Sequence, residues 1–232
     1  MFTILVANPK GGAGKSTLTT NIAGMLAALK QRVVIMDLDN QQSATNWLAR
    51  RPDALAKIMP WTEDSDMGEL RDFAPQWMVI DTHARIRRAD RTYLLSRANV
   101  VLVPVNPSVF DIEATAKFLL KLHQDPNVQN GRVAIGLVGS RTDSRTRIAQ
   151  ELSSFFARSG LPVVAYIPDS VLYPQCARDG TSIYELPRAR TEQQLEAWQP
   201  LVAWLKSQIA RTRDIKRSAP QVSATVSAQA PR

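Results

Sequence analysis

The chain has 232 residues but only one cysteine, Cys176, and two histidines. A lone thiol excludes a disulfide framework and any metal or cluster site built from several cysteines. No apolar run approaches the ~20 residues that span a bilayer, so no integral membrane association is expected. The N-terminus enters "FTILVANPKGG" without a basic segment and a long apolar block, so no signal peptide is expected and a reducing cytoplasm fits. Acid is scarce as well. The 29 lysines and arginines exceed the 21 aspartates and glutamates, for a net charge of +8. Such a field favours polyanions, either nucleic acid or an anionic membrane surface.

The apolar fraction, 44%, is enough for a core. Internal repeats are absent, and no linker precedes residue 210, so a single domain is expected over 1–211. Short β-branched runs alternate with amphipathic stretches, the signature of βαβ units. Strands are expected at Phe2–Asn8, Val33–Leu38, Trp77–Thr82, Asn99–Val105, Val133–Gly139 and Pro162–Ile167. Helical spacing covers Ser16–Lys30, Ile86–Arg97, Ile112–Gln124, Arg147–Ser159 and Thr191–Arg211, the last kinked or restarted at Pro200. The fold class is therefore α/β, a doubly wound and mostly parallel sheet with helices on both faces. Beyond residue 211 the chain turns rich in Ser, Ala and Pro, and 212–232 reads as a disordered basic tail.

The stretch "NPKGGAGKST", Asn8 to Thr17, follows the first strand and opens a helix. That context makes it a phosphate-binding loop, although Pro9 replaces the first glycine of the standard pattern. Gly11, Gly12 and Gly14, with Ala13 between them, let backbone N–H groups turn around an anion. Lys15 would reach the β- and γ-phosphates, and Ser16 would place its hydroxyl on Mg²⁺. Acids stand at the ends of two further strands: Asp37 and Asp39 in "VVIMDLD", and Asp81 in "WMVIDT". Ligands collect beyond the carboxyl ends of such strands, so these acids converge on a metal and an attacking water. The competing reading of a strand-end aspartate is a helix cap.

"KGGAGKST", "DLDNQQSATNW", "VIDT" and "VVLVPVNPSVFDIEA" together resemble the ParA/MinD family of deviant Walker A P-loop ATPases, closest to its small ParF-like partition branch. The resemblance covers residues 2 to about 210. It implies ATP and Mg²⁺ as cofactors, slow turnover unless stimulated, and a homodimer formed on ATP. It makes Lys10 the extra lysine that reaches the partner subunit's ATP, acting with Lys15 and Asp39 in catalysis. Asp39 then positions water, Ser16, Asp37 and Asp81 serve the metal, and Thr17 joins the phosphate ligands. Ser140, Arg141, Ile167, Pro168 and Asp169 correspond to the adenine contacts. Two positions depart from the family pattern: His83 follows "DT" where proline is common, and Ser140 stands where asparagine often meets the base. His83 either tunes the site or fills the loop.

The resemblance further implies non-specific DNA binding, a ParB-like centromere-binding partner, and residence on the nucleoid in the cytoplasm. Two basic clusters would serve DNA: Arg85, Arg87 and Arg88, and later Lys206, Arg211, Arg213 and Lys216. Each is equally a solvated helix face. Starting at strand one, the chain shows no preceding helix-turn-helix segment, so operator-specific binding is not expected. Two alternatives remain. A MinD-like protein would use the apolar stripe of Trp198, Leu201, Trp204, Leu205 and Ile209 on a membrane. A ParA-like positioning factor would carry a cargo other than DNA.

Overall fold

The computed structural model describes residues 1–62 and 65–218, with the side chains of 216–218 excepted. In chain order the elements are β1 (Phe2–Val6), α1 (Lys15–Ala28), β2 (Val33–Asp37), α2 (Ser43–Ala49), β3 (Ile58–Pro60), α3 (Met67–Phe73), β4 (Trp77–Asp81) and α4 (Arg88–Arg97). They continue with β5 (Val100–Val105), α5 (Val109–His123), α6 (Pro126–Gln129), β6 (Ala134–Thr142), α7 (Arg147–Ser159), β7 (Val163–Pro168), α8 (Leu172–Asp179) and α9 (Arg188–Ser218).

The strands form one sheet in the order β3-β2-β4-β1-β5-β6-β7, and every neighbouring pair is parallel. Alternate residues of each strand face opposite helical layers. Ile4 and Val6 pack with Leu18, Ile22, Trp47, Trp198 and Leu201 beneath α1, α2, α8 and α9. Leu5 and Ala7 pack with Leu94, Phe118, Leu122 and Phe156 beneath α3, α4, α5 and α7. Both faces are thus covered, which is why the strands read as continuous apolar runs. The chain reverses its direction of growth at β1, between β4 and β5, and this switch point opens a crevice at the strands' carboxyl ends.

Four differences from the sequence reading stand out. The edge strand β3 is three residues long and ends in Pro60, a composition tolerated only at an edge. The helices α2, α3, α6 and α8 are short, four to eight residues, too few to stand out as amphipathic stretches in the sequence. The last helix starts at Arg188, just after Pro187, and runs as one element through Pro200 to Ser218. It therefore outruns the expected end at Arg211, and the rest of the expected tail lies outside the described residues. Trp198, Leu201 and Leu205 are buried in the core beneath this helix, so packing holds it through the proline.

Candidate functional site

Strand β1 delivers the glycine-rich loop to the switch point, and Asn8 fixes its first turn. Asn8 is buried; its amide donates to the Pro104 carbonyl at 2.8 Å and to Thr115 Oγ1 at 2.9 Å. Its Oδ1 accepts from the Lys10 backbone N–H at 2.8 Å. On the far side, Asn106 Nδ2 donates to the Gly12 carbonyl at 3.0 Å. Gly12 and Gly14 take φ of 73° and 92°, the left-handed region open to glycine. Gly14 also caps α1 with no side-chain acceptor, which leaves the first N–H groups of that helix facing the loop. Lys15 is buried and donates from Nζ to the Lys10 carbonyl at 3.0 Å. Burial lowers its pKa, against the opposing pull of Asp81 and Asp39. The Lys10 side chain has no polar partner among the described residues.

The acids divide by environment. Asp81, last residue of β4, is fully buried, and neither carboxylate oxygen has a hydrogen-bond partner among the described residues. Burial raises its pKa to about 7, with Asp37 and Asp39 adding to the shift. The Ser16 hydroxyl, lying outside hydrogen-bond geometry, and the Lys15 ammonium oppose it. Asp37 is saturated instead. It accepts from Asp39 N at 3.0 Å, Thr45 N at 2.8 Å and Thr45 Oγ1 at 3.2 Å, and so caps the start of α2 as well as facing the site. Asp39 is half-buried and accepts from Gln41 N at 3.1 Å.

An orphaned, buried carboxylate beside a serine hydroxyl and a loop of inward N–H groups fits a hard divalent cation with a phosphate chain. Such an ion takes few carboxylates and keeps several waters. Among the described residues, no group of three or more acids, histidines or cysteines forms a metal cage by itself.

All five residues expected at the base line one cavity of about 340 Å³ with Gly14, Thr17 and Tyr173. A register shift in β6 between Ser140 and Thr142 leaves Arg141 at φ 51°, which turns this rim toward the loop. Sequence reasoning misses Tyr173, Asn8 and Asn106. Asn106 carries a signal, being a polar residue that closes the apolar run "VVLVPV"; Tyr173, four residues beyond Asp169, carries none. His83 Nδ1 accepts from Arg85 N at 3.1 Å, closing its own loop.

The basic clusters sit at opposite ends of the sheet. Arg85, Arg87 and Arg88 are exposed just beyond the carboxyl end of β4. Arg213 lies with Met1, Phe2 and Arg32 at the strands' amino ends. Arg211, exposed like Lys206, donates to the Gly131 carbonyl and to Gln208 Oε1. The Lys216 side chain lies outside the described residues. The stripe of Trp198, Leu201 and Leu205 is buried, with Trp204 and Ile209 packed against it, so it is not a free membrane face. Among the described residues no helix is long and apolar enough to cross a membrane.

The CobQ/CobB/MinD/ParA nucleotide binding domain family matches residues 4–183. The chain is 26% identical over 191 residues to the maintenance of carboxysome distribution protein A of Halothiobacillus neapolitanus, covering 80% of this chain and 88% of that one. It is 27% identical over 184 residues to the chromosome-partitioning ATPase Soj of Thermus thermophilus, covering 65% and 74%. The solved structure of apo McdA from Cyanothece shares the fold at a TM-score of 0.66 and 17% identity, covering 86% and 98%.

Proposed function

The chain belongs to the CobQ/CobB/MinD/ParA nucleotide-binding family, and from that premise we propose that it is a Mg²⁺-dependent ParA-type ATPase that dimerises on ATP, binds DNA without sequence preference and segregates a DNA cargo with a ParB-like partner. One observation carries the reading: Lys15, Ser16 and the orphaned Asp81 converge at the switch point while a second lysine, Lys10, stands on the same loop with no side-chain partner among the described residues.

Each group has a role in that reading. The loop N–H groups and Lys15 hold the β- and γ-phosphates. Ser16 and Asp81 would hold Mg²⁺, which would neutralise charge on the phosphate chain. Asp39, at the mouth of the site, orients the attacking water. Lys10 supplies a positive charge to the partner subunit's γ-phosphate, where negative charge builds in the transition state. Dimerisation is supported by apolar side chains exposed on this same face, where Phe110 is 74% and Val171 84% exposed. The basic balance supports the DNA step, since lysine and arginine contacts to phosphate supply most non-specific affinity.

A second reading keeps the dimer switch and replaces the DNA cargo with a protein assembly. The likeness to a carboxysome distribution protein favours it. The primary reading is tested by measuring DNA binding with no nucleotide, with ADP and with ATP–Mg²⁺, across a salt series with sizing alongside. ATP-only dimers that hold unrelated sequences in a salt-sensitive way support it. Dimers that ignore DNA transfer the protein to the second reading.

A further inference from the structure

A cavity of about 350 Å³ opens between α4 and α5, bounded by Pro9 of the phosphate loop and floored in part by Phe118. Arg85 and Arg91 come from one wall, Lys117 and Lys121 from the other. None of these four cations forms an ion pair among the described residues. The Arg91 Nε is buried and has no acceptor among the described residues. A buried donor without an acceptor carries a desolvation cost that an incoming oxygen removes. Lys117 and Lys121, one helical turn apart on α5, repel each other until an anion lies between them. Arg87 and Arg88 continue the basic surface along the start of α4.

We propose that this groove is where the phosphate backbone of DNA lies, with Lys117 and Lys121 as contacts beside the arginines. The proposal rests on the DNA-binding reading above and locates it. The rival surface at the end of α9 is less available, because Arg211 is already engaged by Gly131 and Gln208. Location has a consequence for regulation. The groove touches Pro9, next to Lys10, and Arg85, four residues beyond Asp81. DNA held here presses on both loops that handle the γ-phosphate, so occupancy is felt at the nucleotide. At the end of α9 it would sit at the opposite pole of the sheet.

The test uses the full chain with ATP–Mg²⁺ and a labelled duplex of arbitrary sequence, with affinity read across a salt series. Lys117→Gln with Lys121→Gln should lower the slope of log affinity against log salt by about 2 for each subunit of the dimer that contacts the duplex, roughly one for each phosphate no longer neutralised. The same variant should keep ATP-driven dimerisation and basal turnover while losing stimulation by DNA. Lys206→Gln with Arg213→Gln should behave as the unmodified protein. The reverse pattern, with the slope falling only in the α9 variant, overturns the placement and leaves the DNA reading intact. If the unmodified protein dimerises on ATP yet holds no duplex at any salt, the DNA reading itself fails.

Discussion

Asp37 and Asp81 are cross-strand partners at the carboxyl ends of β2 and β4, yet among the described residues one carboxylate receives three hydrogen bonds and the other none. The first is committed to shaping the turn into α2. The second is left to be completed by something from outside, and its burial sets its protonation.

The sign of the pH effect follows from that burial. Asp81 has a folded pKa raised to about 7 from 3.8 in the unfolded chain. The folded state therefore holds the proton more tightly, and stability is lost as pH rises from about 4 to about 7. The loss is at most roughly 4 kcal/mol at about 1.4 kcal/mol per pH unit. Asp81→Asn removes the titration, so the nucleotide-free variant should show a flatter stability profile over this window in urea melts. An unchanged slope would mean that another group carries the pH dependence. The same variant should bind nucleotide with little response to Mg²⁺.

Asp39→Ala should trap an ATP-bound dimer. Among the described residues the side chain accepts only from Gln41 N, while the phosphate cradle is built from other residues. If Asp39 positions the attacking water, removing it leaves nucleotide binding in place and the water unoriented. Sizing with ATP–Mg²⁺ checks this: a variant that stays monomeric has lost something other than water positioning.

Gly24→Ala tests how α1 is locked to the segment before α9. An added Cβ on Gly24 collides with Ser182 Cβ and Oγ. Ser182 is fully buried and donates to Glu185 Oε2 at 2.9 Å, and Glu185 pairs with the buried Arg51. The extra methyl has no room to relax without moving that network. Overpacking of this kind costs about 1–3 kcal/mol, or a fall in Tm of several degrees. A thermal melt within about a degree of the unmodified protein would show that the segment yields freely.

Much of this is legible from residue types alone. The strands β1, β4 and β5 are buried on both faces and announce themselves as apolar runs, and "GGAGKST" sets the loop by local conformation. What stays hidden depends on contacts far apart in the chain. Asn8 reaches Pro104 and Thr115, about a hundred residues away, and nothing around Asn8 signals those partners. Asp37 serves Thr45 because α2 begins there, and α2 is too short to show a period. A proline rule is local and predicts a kink or restart at Pro200, whereas Trp198, Leu201 and Leu205 hold the helix as one element by burial.

Lys10→Ala separates the two lysines of the loop. The structural duties of Lys10 are both borne by its backbone: its N–H donates to Asn8 Oδ1 and its carbonyl accepts from Lys15 Nζ. Alanine preserves both, so the cradle should form and nucleotide affinity should stay within a few-fold. The side chain, without a polar partner among the described residues, is the only part deleted. If it acts on the partner subunit's ATP, stimulated turnover should fall by roughly 100-fold or more, the usual cost of removing one transition-state charge contact. Mixing Lys10→Ala with Asp39→Ala subunits gives the sharper readout. A mixed dimer pairs the intact Lys10 of one subunit with the intact Asp39 site of the other, so activity should return in mixtures of two inactive variants. Two inactive variants that stay inactive when mixed would place Lys10 in its own subunit's site.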